Sequence, residues 1–296
     1  MDRKPLTGKT WLGKLTAFTY VLPALMVYAI FILFPIINTL WYSFFNWTGF
    51  SAPVFNGLAN YQELFQDQVF RKAIVNNFRF ILYYTLFPIV LALILTALLT
   101  RREVIGRNFF RASFFLPYIM PMVVVGVAWR WIYNPVFGLL NSSLRAIGLD
   151  ALAFPWLGDF ALAQPAVGVI ATWVQFGFCL VLFMAGVQNI DESLYDAAKV
   201  DGANELAQLW YITIPGIRAE IMVAAVSTLI SALRAFDLVF VTTRGGPGNE
   251  TMVTSLYLYQ NAFQLNRMGY ASSIAVVLTL AILLISYLLL KAAPSD

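Results

Sequence analysis

Apolar and polar positions fall along this chain in long blocks, not in the short amphipathic periods of a soluble fold. Six predominantly apolar runs cover about residues 15–41, 78–100, 112–133, 165–187, 217–241 and 270–290. Each is close to the ~20 residues a helix needs to cross bilayer hydrocarbon, so the pattern predicts six membrane-spanning helices. Pro88 predicts a kinked or loosened second span, and Pro117 and Pro121 fall in the first half of the third. Residues 46–77 are mixed and polar and predict short helices or loops outside the membrane. Residues 134–164, rich in Gly, Asn and Pro, read as a second outer loop.

The polar block at 189–215 differs from the other connections because it still carries helical spacing. Asp191 is placed to cap a first short helix bearing Leu194, Tyr195, Ala197 and Ala198. Gly202 ends it, since glycine reaches φ > 0 without a Cβ penalty. Asn204 is placed to cap a second helix, on which Leu206, Leu209, Trp210 and Thr213 recur at helical spacing. Pro215 would open the next helix, where its missing N–H costs nothing. A helix–glycine–helix hook between two spans is a docking shape. Asp191, Glu192, Asp196, Asp201 and Glu205 are opposed only by Lys199, so the implied partner groove is basic. The competing reading is a helix lying on the lipid surface; such helices are usually rich in Lys and Arg, and this one is acidic.

Composition narrows the classes. Charged residues make up 11% of the chain and hydrophobic ones 60%, against about 25% charged in soluble domains. The lone Cys179 lies inside an apolar run and excludes a disulfide framework or cysteine metal cluster. The absence of histidine removes Ser-His-Asp triads and the HExxH zinc site. Gly8-Lys9-Thr10 mimics the end of a phosphate-binding loop, but the glycine that motif requires would fall on Arg3. Gly245-Gly246-Pro247-Gly248 lacks a following Lys-Ser/Thr and reads as a turn. The first apolar run is too long for a signal peptide and reads as a retained span.

Orientation follows from Lys and Arg. With the N-terminus inside, eleven fall on inner segments, including four in the tail and four across 101–111. Five fall outside: Arg71, Lys72, Arg145, Arg244 and Arg267. The bias predicts both termini and the hook on the cytoplasmic side. Trp11, Trp41, Trp47, Trp129, Trp131, Trp156 and Trp173 lie mostly near span ends, as an interfacial belt would.

Two ionisable residues, Arg234 and Asp237, fall within the fifth run, three apart and so on neighbouring faces of one helix. A charge at mid-membrane costs about 2.5–3.5 kcal/mol on insertion scales and seldom faces lipid. They are either a structural pair near the outer end or the polar wall of a water-filled pathway. Ser227, Thr228 and Ser231 continue that polar side, and Gln175 interrupts the fourth run.

The hook carries a resemblance. Asp196-Ala197-Ala198, three residues, Gly202, nine residues, then Ile212-Thr213-Ile214-Pro215 is similar in spacing to the EAA loop of permease subunits of type I ABC importers. Asp196 stands where the family has Glu, and Ile214 where it has Leu. Gly57-Leu58-Ala59-Asn60-Tyr61 and the run from Phe236-Asp237 through Gly245-Gly246-Pro247, Thr251, Tyr259, Ala262-Phe263 and Gly269 resemble carbohydrate permeases of the maltose, multiple-sugar and glycerol-phosphate type. The resemblance implies an all-α polytopic fold of six transmembrane helices with a cytoplasmic coupling helix. It also implies that Leu194, Tyr195, Asp196, Ala197, Ala198, Asp201, Gly202 and Pro215 couple to an ATPase. Counting outward from the loop, Val174, Gln175, Phe178, Thr228, Ala232 and Arg234 fall where such permeases line their substrate pathway, and Asp237 joins Arg234 as a candidate for the same wall.

The implied organisation is a cytoplasmic tail (1–14), a first span with outer loop (15–77), a core (78–291) holding the 189–215 loop, and a tail (292–296). The implied partners are a second homologous permease, two ATP-binding-cassette ATPases that bind the ATP and Mg this chain does not, an extracytoplasmic solute-binding protein, and membrane lipid; no nucleic acid is expected. The chain itself would catalyse no covalent chemistry and bind no metal. The alternatives are an ion-driven secondary transporter, an intramembrane enzyme, or an ABC permease for a non-sugar solute. Asp237 is the one clear intramembrane acid, and no repeated halves are visible, as the first alternative would want.

Overall fold

The computed structural model of the protein describes residues 11–100 and 106–292. The Gly8-Lys9-Thr10 triplet, the tail cations Arg3, Lys4 and Lys9, and Arg101 and Arg102 lie outside the described residues. The first span joins α1 (Trp11–Tyr28) to α2 (Phe34–Tyr42). A two-residue antiparallel pair, β1 (Phe45–Asn46) with β2 (Val54–Phe55), and the short α3 (Ala59–Gln66) follow. The second span is α4 (Gln68–Ile81) and α5 (Phe87–Thr100). It starts at Gln68, ten residues earlier than the apolar run at 78 suggested. Its polar first turns are possible because Lys72, Asn76 and Asn77 are hydrogen-bonded to protein, not turned to lipid.

Proline spacing shapes these helices. Wide turns at Ala29–Leu33, Leu82–Leu86 and Leu209–Thr213 each stop two residues before a proline, at 35, 88 and 215. A proline in a helix clashes with the carbonyl four residues back. In all three places that carbonyl, of Phe31, Tyr84 or Tyr211, lies inside the widened turn. The second span is therefore loosened at Pro88 but not broken. Pro121 has no such turn before it. Met120 takes the extended backbone favoured before proline (ψ 140°), so α6 (Arg107–Ile119) and α7 (Met122–Ile132) meet at 99° and the third span is bent.

The connection between the third and fourth spans holds α8 (Leu139–Ala146), whose buried Asn141 donates to the Phe154 carbonyl and accepts from Trp156 Nε1 at 2.7 Å. Trp156 is thus a loop anchor, not an interfacial side chain. The fourth span, α9 (Ala163–Val187), is the hub, with 72% of its apolar window buried. Three glycines nine residues apart let neighbours approach it. Gly168 meets the Tyr83 ring, Gly177 the Phe114 carbonyl and Gly186 the Glu220 side chain; a Cβ at Gly177 would collide with backbone.

The hook contributes α10 (Glu192–Val200), α11 (Glu205–Gln208) and α12 (Ile214–Gly216). Helix runs on through Pro215, and the break comes at Ile217, where α13 (Arg218–Leu233) departs at 72°. Pro215 thus widens a turn; it does not start the fifth span. At 16 residues, α13 is about 24 Å long. It stops at Leu233, short of the expected 241, and α14 (Asp237–Thr242) follows after a three-residue gap. The gap corrects the single continuous helix expected across Arg234 and Asp237. Finally α15 (Thr254–Tyr259) leads to α16 (Met268–Ala292), the sixth span. Among the described residues, four helices are long and apolar enough to cross a membrane, and counting each bent pair as one span brings the number to six.

Candidate functional site

The hook is built from its caps. Asp191 Oδ1 accepts the Ser193 N–H at 2.9 Å, and Asn204 Oδ1 accepts the Ala207 N–H at 2.8 Å, so each arm starts on a side-chain acceptor. The backbone bond to Ser193 comes first among the interactions that hold the Asp191 carboxyl below its ordinary value. At the bend, Ala203 N–H reaches the Ala198 carbonyl (2.9 Å) and Gly202 N–H reaches Lys199 (3.1 Å), the paired bonds of a Schellman stop. Gly202 sits at φ +80°, where a side chain would be strained.

One contact then ties the arms together, Tyr195 Oη to Thr213 Oγ1 at 3.0 Å, and a second fixes the later arm to the bend, Gln208 Nε2 to the Ala203 carbonyl at 2.9 Å. Tyr195, expected to fill a partner's groove, is half-buried and spends its hydroxyl inside the hook. The result is a braced elbow.

Its outer surface is both apolar and acidic. Leu194, Val200, Leu206, Trp210 and Tyr211 are exposed, Val200 to 88% and Tyr211 to 83%. Asp196 pairs with Lys199 at 2.9 Å, but both side chains are mostly exposed, and a pair so placed is weak against water and salt. Asp196 therefore keeps a carboxylate oxygen free for a stronger basic partner. Ala197 and Asp201 are exposed and Ala198 half-buried. On the inner side of the elbow lies a cleft of about 750 Å³, lined among others by Glu192, Asp196, Glu205 and Lys199. Val200, Trp210 and Tyr211 add to the exposed apolar surface beyond the residues that the motif resemblance names. Trp210 and Tyr211, adjacent large aromatics on an exposed turn, were the available signal for it in the sequence.

The intramembrane residues divide into two groups. Val174 and Ala232 are buried in one core cluster between α9 and α13. Thr228 is buried with its hydroxyl on the Ala224 carbonyl of its own helix. These three form the packing seam of the chain. Gln175 is also buried, yet its amide makes no hydrogen bond among the described residues, and Phe178 is half-buried, stacked on Tyr118 at 5.0 Å. Arg234 and Asp237 are exposed and do not pair with each other: Arg234 is the first residue of the gap, and Asp237 opens α14. The structural-pair reading fails on this geometry. Beside them stands an aromatic ladder that sequence reasoning did not assemble, Phe236, Phe240, Tyr259 and Phe263, with ring centroids 5.2–5.5 Å apart. Its i, i+4 spacings (236/240, 259/263) were legible; their meeting was not.

The described residues thus combine an acidic elbow between two spans with an exposed polar gap after the second of them. Comparison with known proteins bears on what such a chain belongs to. Residues 88–293 match the model for the inner membrane component of binding-protein-dependent transport systems. A probable ABC transporter permease of Bacillus subtilis is 39% identical over 94% of this chain and 96% of its own. The chain belongs to that family. The diacetylchitobiose uptake permease of Streptomyces coelicolor is 35% identical over 93% of this chain and 81% of its own. In fold, the permease superposes on a chain of a bacterial ABC transporter involved in import of the acidic polysaccharide alginate. The TM-score is 0.82 over 95% of both chains, at 24% identity. The protein is thus a multi-pass membrane transport subunit and not an enzyme.

Proposed function

We propose that this permease carries a sugar or sugar-like solute across the cytoplasmic membrane as one of two homologous permease subunits. An extracytoplasmic binding protein would deliver the solute to the outer loops, and two ATPases would grip the hooks from the cytoplasm, where both termini also lie. ATP and Mg belong to those ATPases; this chain holds no cofactor of its own. ATPase closure moves the elbow, and because its arms are braced, the displacement passes to α9 and α13 on either side of it. The coupling is differential binding of two states by ATP and by solute.

The observation that carries this reading is the elbow itself: rigid inside, yet apolar and acidic on its face. A relative named as a diacetylchitobiose uptake permease, matched over 93% of this chain and 81% of its own, supports the sugar assignment. So does the aromatic ladder beside Arg234 and Asp237, which suits the apolar faces and hydroxyls of a sugar. The pathway wall is read as Arg234, Asp237, Gln175 and Phe178, with Val174, Thr228 and Ala232 packing behind it.

Asp196→Lys tests the coupling. The variant permease should insert and pair normally, but the ATPases should dissociate or hydrolyse ATP without uptake. Normal uptake with ATPases bound would remove the role given to that carboxylate.

A further inference from the structure

The gap between α13 and α14 contains neither glycine nor proline: Arg234-Ala235-Phe236 would continue a helix as readily as interrupt it. Something outside the segment must hold it open. At the end of α13 the backbone serves the carbonyls weakly: Ala232 O accepts the Ala235 N–H at 3.3 Å, and the i to i+4 ladder stops at the Arg234 N–H on Ile230. The side chain that reaches them is Asn77, on α4. Its Nδ2 donates to the Ala232 and Leu233 carbonyls at 3.2 Å each. Its Oδ1 accepts both the Thr254 N–H at 2.8 Å and the Thr254 hydroxyl at 2.9 Å. Asn77 is buried and uses all four of its hydrogen-bonding positions. From the other side, the Ser255 hydroxyl donates to the Ala235 carbonyl.

We propose that Asn77 is the positioning residue that keeps the fifth span open at 234–236 and so presents Arg234 and Asp237 to water. The inference rests on the reading of those two residues as pathway wall. Asn77 also joins the gap to the outer loop. Its neighbour Asn76 holds the Asn249 and Met252 carbonyls at 3.0 Å, and Lys72, more than a turn back, holds Glu250 at 2.7 Å. Movement of the 248–254 segment is thereby transmitted to the gap through one side chain. Without the amide donors, closing the helix through 234–236 would satisfy the carbonyls locally. It would also turn Asp237 about 100° per added residue away from its present face.

The test is thiol labelling of the assembled transporter in lipid nanodiscs with a charged, water-soluble methanethiosulfonate. Cysteines are introduced singly as Asp237→Cys, beyond the gap, or Ser227→Cys, exposed on the same span below it. Asn77→Asp keeps the acceptor for Thr254 but sets lone pairs against the two carbonyls. It should slow labelling at 237 by about fivefold or more while leaving 227 within about twofold. Unchanged labelling at 237, or an equal fall at both positions, overturns the proposal. Should Asn77→Asp fail to assemble, Ser255→Ala loosens the same gap and must show the same selective loss, or the proposal falls. A cysteine at 237 that never labels, even beside native Asn77, sinks the pathway reading itself; one that labels and ignores Asn77 sinks only this inference.

Discussion

At the N-terminal ends of α4 and α16, a single carboxylate holds four donors. Asp67 Oδ1 accepts the Val69 and Phe70 N–H groups at 2.8 and 3.2 Å, and Oδ2 accepts the hydroxyls of Tyr257 and Tyr270 at 2.5 and 2.7 Å. Burial alone would raise its pKa. The two phenols and the helix N–H groups together outweigh burial and leave it below the ordinary 3.8. The sign follows: this stabilisation is complete above the unfolded value and is lost as pH falls through the depressed one. Thermal melts of the purified permease between about pH 6 and pH 3 should show a fall in Tm that Asp67→Asn largely flattens. An unaltered pH profile in the variant would remove Asp67 from the account. Nearby, Arg267 Nη2 donates to both Glu63 oxygens at 2.6 Å, and its guanidinium lies 4.3 Å over the Tyr270 ring, an ion pair extended by a ring contact. None of these partnerships was readable from the chain, because Asp67 and Tyr257 are 190 residues apart.

Among the elements, what the sequence showed well was what local chemistry decides. Asp191, Gly202 and Asn204 act within three residues of themselves, and all three take the caps and the turn expected of them. Apolar runs located every span to within a few residues except where polar side chains are satisfied by distant protein. Hence α4 begins early, and the fifth span parts at a place with no local breaker. The two fates of proline, a widened turn at Pro88 and a 99° bend at Pro121, follow from what precedes each ring and cannot be told from the proline alone. The glycines of α9 were not singled out at all; in an apolar run nothing distinguishes a packing notch from filler. Gly177→Leu tests that notch. It would drive a side chain into the Phe114 backbone, costing at least the ~1–3 kcal/mol typical of overpacking. The expected result is a lowered Tm and poor yield of folded permease. A Leu variant as stable as the parent would mean that α6 can stand off from α9 without penalty.

The whole molecule leaves large apolar surfaces uncovered. The first span is 0% buried over its apolar window and the sixth only 11%, whereas α9 is wrapped by its neighbours. Lipid and a second permease are the covers consistent with the proposed assembly. Within that assembly the elbow is the one braced, water-facing element joined to two spans, so force applied to it from the cytoplasm would reach the pathway. The sole cysteine, Cys179, is buried in α9, and a thiol placed on the elbow can therefore be followed by itself. Ala197→Cys in the complete transporter, probed in sealed right-side-out vesicles, is the most direct measurement. The account predicts protection from an impermeant maleimide added outside and a thiol-to-amine crosslink to an ATPase subunit within. Labelling from the outside, or an elbow thiol that never crosslinks to an ATPase that is present, would contradict it.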